Sequence, residues 1–189
     1  MIREEFPPAW IEMGKIGEET VTESIPKGFK YFRNIYVPCF HGYDREEIDL
    51  VIIGRSGIWS IEIKNWRGIA YLGNYPDEIV FERNTKLGLR TSFRYNPYYQ
   101  AKRHSEDLHK YFCRYFKSYF PSPQTLVVFV QKDINGINGV NLSHIRRSNP
   151  SIIYLQELKS VICKPGLPVI WDDWQPFYDL LKKLPKRTV

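Results

Sequence analysis

Cysteine is scarce in this chain of 189 residues, and Cys39, Cys113 and Cys163 are odd in number and far apart. That argues against a disulfide framework. Long apolar runs are lacking as well. The longest, Leu50-Val51-Ile52-Ile53 and Leu126-Val127-Val128-Phe129-Val130, are far too short to span a bilayer. The first residues, Met1-Ile2-Arg3-Glu4-Glu5-Phe6-Pro7-Pro8, carry no apolar stretch of the secretory type. A soluble cytoplasmic protein is expected. No C-x-x-C, H-E-x-x-H or Walker-type glycine loop is present, so a zinc site or nucleotide loop is unsupported. Ser56, in Gly54-Arg55-Ser56-Gly57, lacks the frame of a nucleophile elbow. His41, His104, His109 and His144 are scattered and read as surface residues.

What is there is an ordinary globular composition, 43% hydrophobic and 25% charged. Thirteen Tyr and eleven Phe give enough bulk for a real core. The length fits one domain over residues 1–189. Net charge is +6, and it is unevenly spread. Between Lys86 and Lys117 eight basic residues face only Glu106 and Asp107, so this stretch carries as much net positive charge as the whole chain. Basic residues interleaved with tyrosines suit phosphate binding; a solvated helix face would look the same.

Residues 14–25 read as a helix ended by Pro26-Lys27-Gly28, and 29–37 as a strand leading into the loop His41-Gly42-Tyr43-Asp44. Strands are expected at 47–53 and 58–64, joined by Gly54-Arg55-Ser56-Gly57, with shorter ones at 68–72 and 78–83 extending the same sheet. From Asn96 to Phe120 the spacing of Leu108, Tyr111, Phe112, Tyr115, Phe116 and Tyr119 predicts a helix whose aromatics pack in the core. Thr125 to Val130 reads as a strand buried on both faces. A loop over 133–141, a strand at 151–155 and helices near 155–163 and 173–184 complete a mixed α/β order.

Two Glu-x-Lys triplets occur, Glu62-Ile63-Lys64 and Glu157-Leu158-Lys159, about the number chance allows. Context separates them. Side chains alternate along a strand, so Ser60, Glu62 and Lys64 share one face and Trp59, Ile61 and Ile63 the other. A turn centred between Arg55 and Ser56 sets Asp49 directly across from Glu62, with Cβ atoms about 4.5–5.5 Å apart. Like charges so placed repel by roughly 3 kcal/mol at an effective dielectric of about 20. A divalent cation removes that penalty, and magnesium suits such an oxygen site. Lys64, on the same face, could position or deprotonate a water. The same residues, with Glu47, could instead form an exposed, partly paired charged face. Glu18 shares a helical face with Val21 and Ile25 and is expected to point inward, unlike Glu19; its alternative role is an acid near a helix N-terminus.

Gly14-Lys15-Ile16-Gly17-Glu18-Glu19, Glu47-Ile48-Asp49-Leu50-Val51-Ile52, Gly57-Ile58-Trp59-Ser60-Ile61-Glu62-Ile63-Lys64-Asn65-Trp66-Arg67-Gly68 and Asn96-Pro97-Tyr98-Tyr99-Gln100 together resemble the nuclease-related domain (NERD) family of the PD-(D/E)xK nuclease superfamily. The resemblance covers about residues 14–130 and leaves 131–189 as an extension of the same domain. One departure is Ile48 where the pattern has proline; proline donates no ligand. The resemblance implies a restriction-endonuclease-like core, a mixed β-sheet flanked by helices. It implies Asp49 and Glu62 as metal ligands, Lys64 as the catalytic lysine, and Glu18 and Gln100 as supporting residues. The corresponding expectation is a nuclease using Mg2+ or Mn2+, with the Ile63 carbonyl as a further ligand. Its substrate would be nucleic acid, DNA in preference to RNA, with Lys102, Arg103 and Lys110 holding the phosphate backbone. Two other readings are a non-catalytic nucleic-acid binder and a protein-interaction domain on the same fold.

Overall fold

The computed structural model describes residues 9–40, 45–54, 57–116, 122–133, 135–164 and 174–186. It is an α/β fold with two sheets flanked by helices. The order is α1 (Ala9–Glu23), β1 (Lys30–Pro38), β2 (Arg45–Gly54), β3 (Gly57–Lys64), β4 (Gly68–Leu72), β5 (Glu78–Thr85), β6 (Gly88–Tyr95), α2 (Pro97–Tyr115), β7 (Gln124–Phe129), β8 (Val140–Asn141), β9 (Ile152–Tyr154), α3 (Leu155–Ile162) and α4 (Gln175–Leu181). The loop at 41–44, the turn residues Arg55 and Ser56, and Tyr119 lie outside the described residues.

The main sheet runs β1-β2-β3-β7-β9. Its first three strands are an antiparallel meander, while β7 lies parallel to both β3 and β9. β7 is thus flanked on both sides, and Leu126, Val127, Val128 and Phe129 are all buried, as a continuous apolar run in a parallel segment requires. One face packs Val51, Ile53 and Ile58 against Leu108, Tyr111 and Phe112 of α2 and Phe177 of α4. The opposite face packs Leu50, Ile52, Trp59, Ile61 and Ile63 against Val21 of α1 and Leu158 and Ile162 of α3. Of the helical aromatics expected in the core, Tyr111 and Phe112 are buried there and Phe116 packs partly buried against them, whereas Tyr115 is exposed.

Strands β4 and β5 correct the sequence reading. They do not extend the main sheet but form a second one, ordered β6-β5-β4-β8. β6 itself was not foreseen, because Gly88-Leu89-Arg90-Thr91-Ser92-Phe93-Arg94-Tyr95 is exposed along nearly its whole length and lacks a buried apolar face. Ile79, Phe81 and Ala70 join this sheet to Ala101 of α2 and to Val127 and Phe129. α2 starts at Pro97, behind an Asn96 N-cap whose side chain accepts the Tyr98 N–H. α1 begins five residues before the expected start.

Candidate metal-binding active site

The site forms where β2 and β3 part. Their ladder runs from Gly54↔Gly57 to Leu50↔Ile61, the register expected from the turn. One step further Asp49 meets Glu62, and there the ladder ends, while β3 continues beside β7 as far as Lys64↔Phe129. In place of a strand carbonyl, Asp49 Oδ2 accepts the Ile63 N–H at 2.8 Å. The other neighbour of Asp49 is also irregular. Asn34 of β1 has a φ of 50° and is skipped between the pairs Arg33↔Leu50 and Ile35↔Ile48. Asparagine tolerates this left-handed backbone better than most residues. From it, Asn34 Nδ2 donates to Glu18 Oε2 at 2.8 Å.

α1 reaches the site through a close contact. Gly17 is buried, and a Cβ there would meet the Asn65 side chain at 3.2 Å and Val130 at 3.3 Å. Asn65 Nδ2 also donates to the Met13 carbonyl at 3.0 Å. Glu18 is held beside the end of β3 by this docking.

Glu62 is buried to 1% exposure. Lys64 Nζ donates to its Oε1 and also reaches Gln100 Oε1 at 3.4 Å. His104 Nδ1 stands 3.4 Å from Glu62 Oε2, and its Nε2 stands 3.4 Å from Glu46 Oε2. Glu46 in turn holds the Arg103 Nε at 2.8 Å. Burial opposes ionisation of Glu62, but the adjacent His104 ring and the Lys64 ammonium outweigh it and hold its pKa below the usual carboxylate range. Asp49 behaves oppositely. Burial first, and the charge of Glu62 second, push it up to about 8, with Lys64 and the Ile63 N–H opposing incompletely. Two adjacent carboxylates with divergent ionisation are what a hard divalent cation would reconcile.

Asp49, Glu62, Lys64, Gln100 and Glu18 therefore gather at one place. His104 corrects the sequence reading, being a buried bridge between two glutamates. The signal was available: it follows Gln100 by four residues and shares its helical face. Asn34 was missed outright, since nothing in a strand pattern marks a positive φ. The second triplet has a structural role. Glu157 Oε2 accepts the Tyr154 N–H at 2.8 Å and its Oε1 takes Arg146 at 2.7 Å.

Of the basic residues on α2, Lys102 is exposed and only 4.0 Å from Glu106. Arg103 is committed to Glu46, and Lys110 lies 3.8 Å from the buried Asp107. Cys39, Glu46 and Asp107 also bring ligand-type atoms within 4.8 Å of one another. Glu46 already holds Arg103 there, and Asp107 accepts from the Phe40 N–H at 3.4 Å. No described helix is long and apolar enough to cross a membrane.

No curated protein and no solved structure matches the chain significantly. The family model described as the nuclease-related domain matches residues 13–130, nearly the span read from the motifs and well over half of the chain. That match runs from within α1 through β7 and takes in every residue that supplies the site. With its α/β core of the restriction-endonuclease-like PD-(D/E)xK type, the chain belongs to the nuclease-related domain (NERD) family.

Proposed function

We propose that the chain is a metal-dependent nuclease that hydrolyses phosphodiester bonds in DNA. Asp49 and Glu62 would hold Mg2+ or Mn2+, with the Ile63 carbonyl as a further oxygen ligand. The observation that carries this reading is the arrangement of the pair: half-buried Asp49 sits across from buried Glu62 where β2 and β3 part, and Lys64 lies between Glu62 and Gln100. A metal bound there would offset charge on the phosphate and make water a better nucleophile near neutral pH.

The chain's own residues supply the rest. Lys64 sits between Glu62 and Gln100, where its ammonium can orient the attacking water and offset negative charge as it develops. Gln100 fixes the lysine head and offers an amide to the same water. Glu18, braced by Asn34, adds carboxylate charge at the α1 side of the site. Lys102, with the half-exposed heads of Arg103 and Lys110, would hold the backbone without reading bases. A domain that only binds nucleic acid or protein has no use for Asp49 beside Glu62, since two adjacent carboxyls cost the fold stability and disfavour a phosphate beside them.

Cleavage of plasmid and oligonucleotide DNA with magnesium or manganese tests this. Lys64→Ala should abolish cleavage while leaving metal binding largely intact. Lys159→Ala, in the second triplet, should cut like wild type. Equal behaviour of the two variants would remove Lys64 from the mechanism.

A further inference from the structure

The β5–β6 hairpin outgrows its sheet. β4 pairs with β5 only as far as Ile69↔Glu82. Three more pairs follow, Arg83↔Arg90, Asn84↔Leu89 and Thr85↔Gly88, with no third strand beside them among the described residues. At about 3.4 Å per residue this is a two-stranded ribbon projecting roughly 10 Å. Residues 83, 84 and 86–91 are all exposed.

Its charge is of one sign. From Arg83 to Ser105 the sequence holds no acid. Arg83 and Arg90 are direct cross-strand partners, a placement that costs stability when both residues are cationic. Among the described residues no carboxylate forms an ion pair with Arg83, Lys86 or Arg90. The nearest acid in sequence, Glu82, lies on the opposite face of the ribbon. Arg94, further down the arginine face, rests 4.8 Å from the Trp66 ring and 5.1 Å from Phe81.

The tip is fixed in shape. Gly88 takes a φ of 105°. Thr85 Oγ1 donates to the Gly88 carbonyl at 2.8 Å and accepts the Leu87 N–H at 3.2 Å. Leu87, at 86% exposure, is thereby presented to solvent at the very end of the arm. The base of the arm packs beside the end of the strand that carries the site. Phe81 shares the face of Arg83 and packs edge-on against Trp66 at 5.5 Å, two residues beyond Lys64.

We infer that this arm is a nucleic-acid clamp that enters a groove of duplex DNA lying across the site; the inference rests on the nuclease reading above. A two-stranded ribbon fits the major groove. Phosphates on the groove walls would relieve the opposed pair of Arg83 and Arg90 and meet Lys86, while the apolar tip meets bases or sugars, as wedge residues do. Charge complementarity selects a polyanion over a protein surface.

The test is fluorescence anisotropy of a labelled duplex of about 20 base pairs, in chelator so that nothing is cut, over a range of salt. The triple variant R83Q/K86Q/R90Q should bind at least tenfold more weakly. Its log–log salt slope should fall by about 2.7, at about 0.9 per lost phosphate contact. Leu87→Ser should weaken binding with the slope unchanged. The triple variant should melt no lower than wild type, because an opposed like-charge pair is gone; a structural pair would lower the melt instead. Wild-type affinity and slope in the triple variant would overturn the arm and leave the nuclease reading standing. No binding by wild type even at low salt would remove that reading, and the arm with it. Self-association that Leu87→Ser abolishes, with DNA binding unaltered, would assign the arm to a second copy of the chain and overturn the clamp.

Discussion

Asp49 is the site carboxyl whose surroundings oppose its ionisation. Its carboxyl is pushed up to about 8 from 3.8, first by burial and then by Glu62. Between those values the folded chain keeps a proton that the unfolded chain has released. Its contribution to stability is therefore complete below 3.8 and is lost as pH rises towards 8. In chelator, wild type should lose up to about 3 kcal/mol through this group between pH 5.5 and pH 8.5. Asp49→Asn should have a visibly flatter profile over the same range, and at pH 8 should melt no lower than wild type. Thermal melts of both proteins at several pH values check this; parallel profiles would mean that Asp49 is solvated. The Asp49–Glu62 pairing itself was legible, because a hairpin register and a period of two fix it. What no strand pattern reveals is that the two strands separate at that pair, or that Asn34 takes a positive φ beside it.

At the scale of elements, α1 and α2 deliver the remaining site residues, and each does so through an identifiable contact. Gly14 and Gly17 lie on the same helix but in different surroundings. A Cβ on Gly14 meets nothing within 4 Å, whereas one on Gly17 meets Asn65 and Val130. Gly14→Ala should stabilise the protein by about 0.5–1 kcal/mol through helix propensity alone. Gly17→Ala should fall short of that gain and reduce cleavage, by pushing Glu18 away from the end of β3. Chemical denaturation and activity of the two variants give the comparison; equal gains with full activity would show the helix to be loosely docked. On α2, Arg103 and Lys110 are half spent on Glu46 and Asp107. Replacing Lys102, Arg103 and Lys110 together should therefore flatten the salt slope of DNA binding by less than 0.9 for each residue. A full drop of about 2.7 would show that all three heads reach phosphate. The helix was plain in the sequence because buried aromatics recur at helical spacing. The edge strand β6 was not, since an exposed strand needs no apolar alternation and leaves none to read.

For the molecule as a whole, the site joins parts that only the folded topology brings together. β2 and β3 bring the carboxylates and the lysine, α2 crosses from the second sheet to bring Gln100 and His104, and α1 closes the end with Glu18. The later elements support this frame: β9 pairs with β7, and Phe177 of α4 packs against Phe112 of α2. The α/β class and the order of the elements other than β6 and β8 followed from the alternation of strand and helix patterns. The division into two sheets did not, because short strands do not declare which partner they pair with. The claim on which all else depends is that Asp49 and Glu62 bind a divalent metal, and thermal melts in chelator and in several millimolar magnesium or manganese address it directly. A ligand that binds only the folded state, at about 100 times its dissociation constant, adds about 2.7 kcal/mol. For a chain of this size that is a rise of roughly 5–10 °C. Wild type should show such a rise and Asp49→Asn little of it; equal responses, or none in wild type, would contradict the paired-carboxylate metal site.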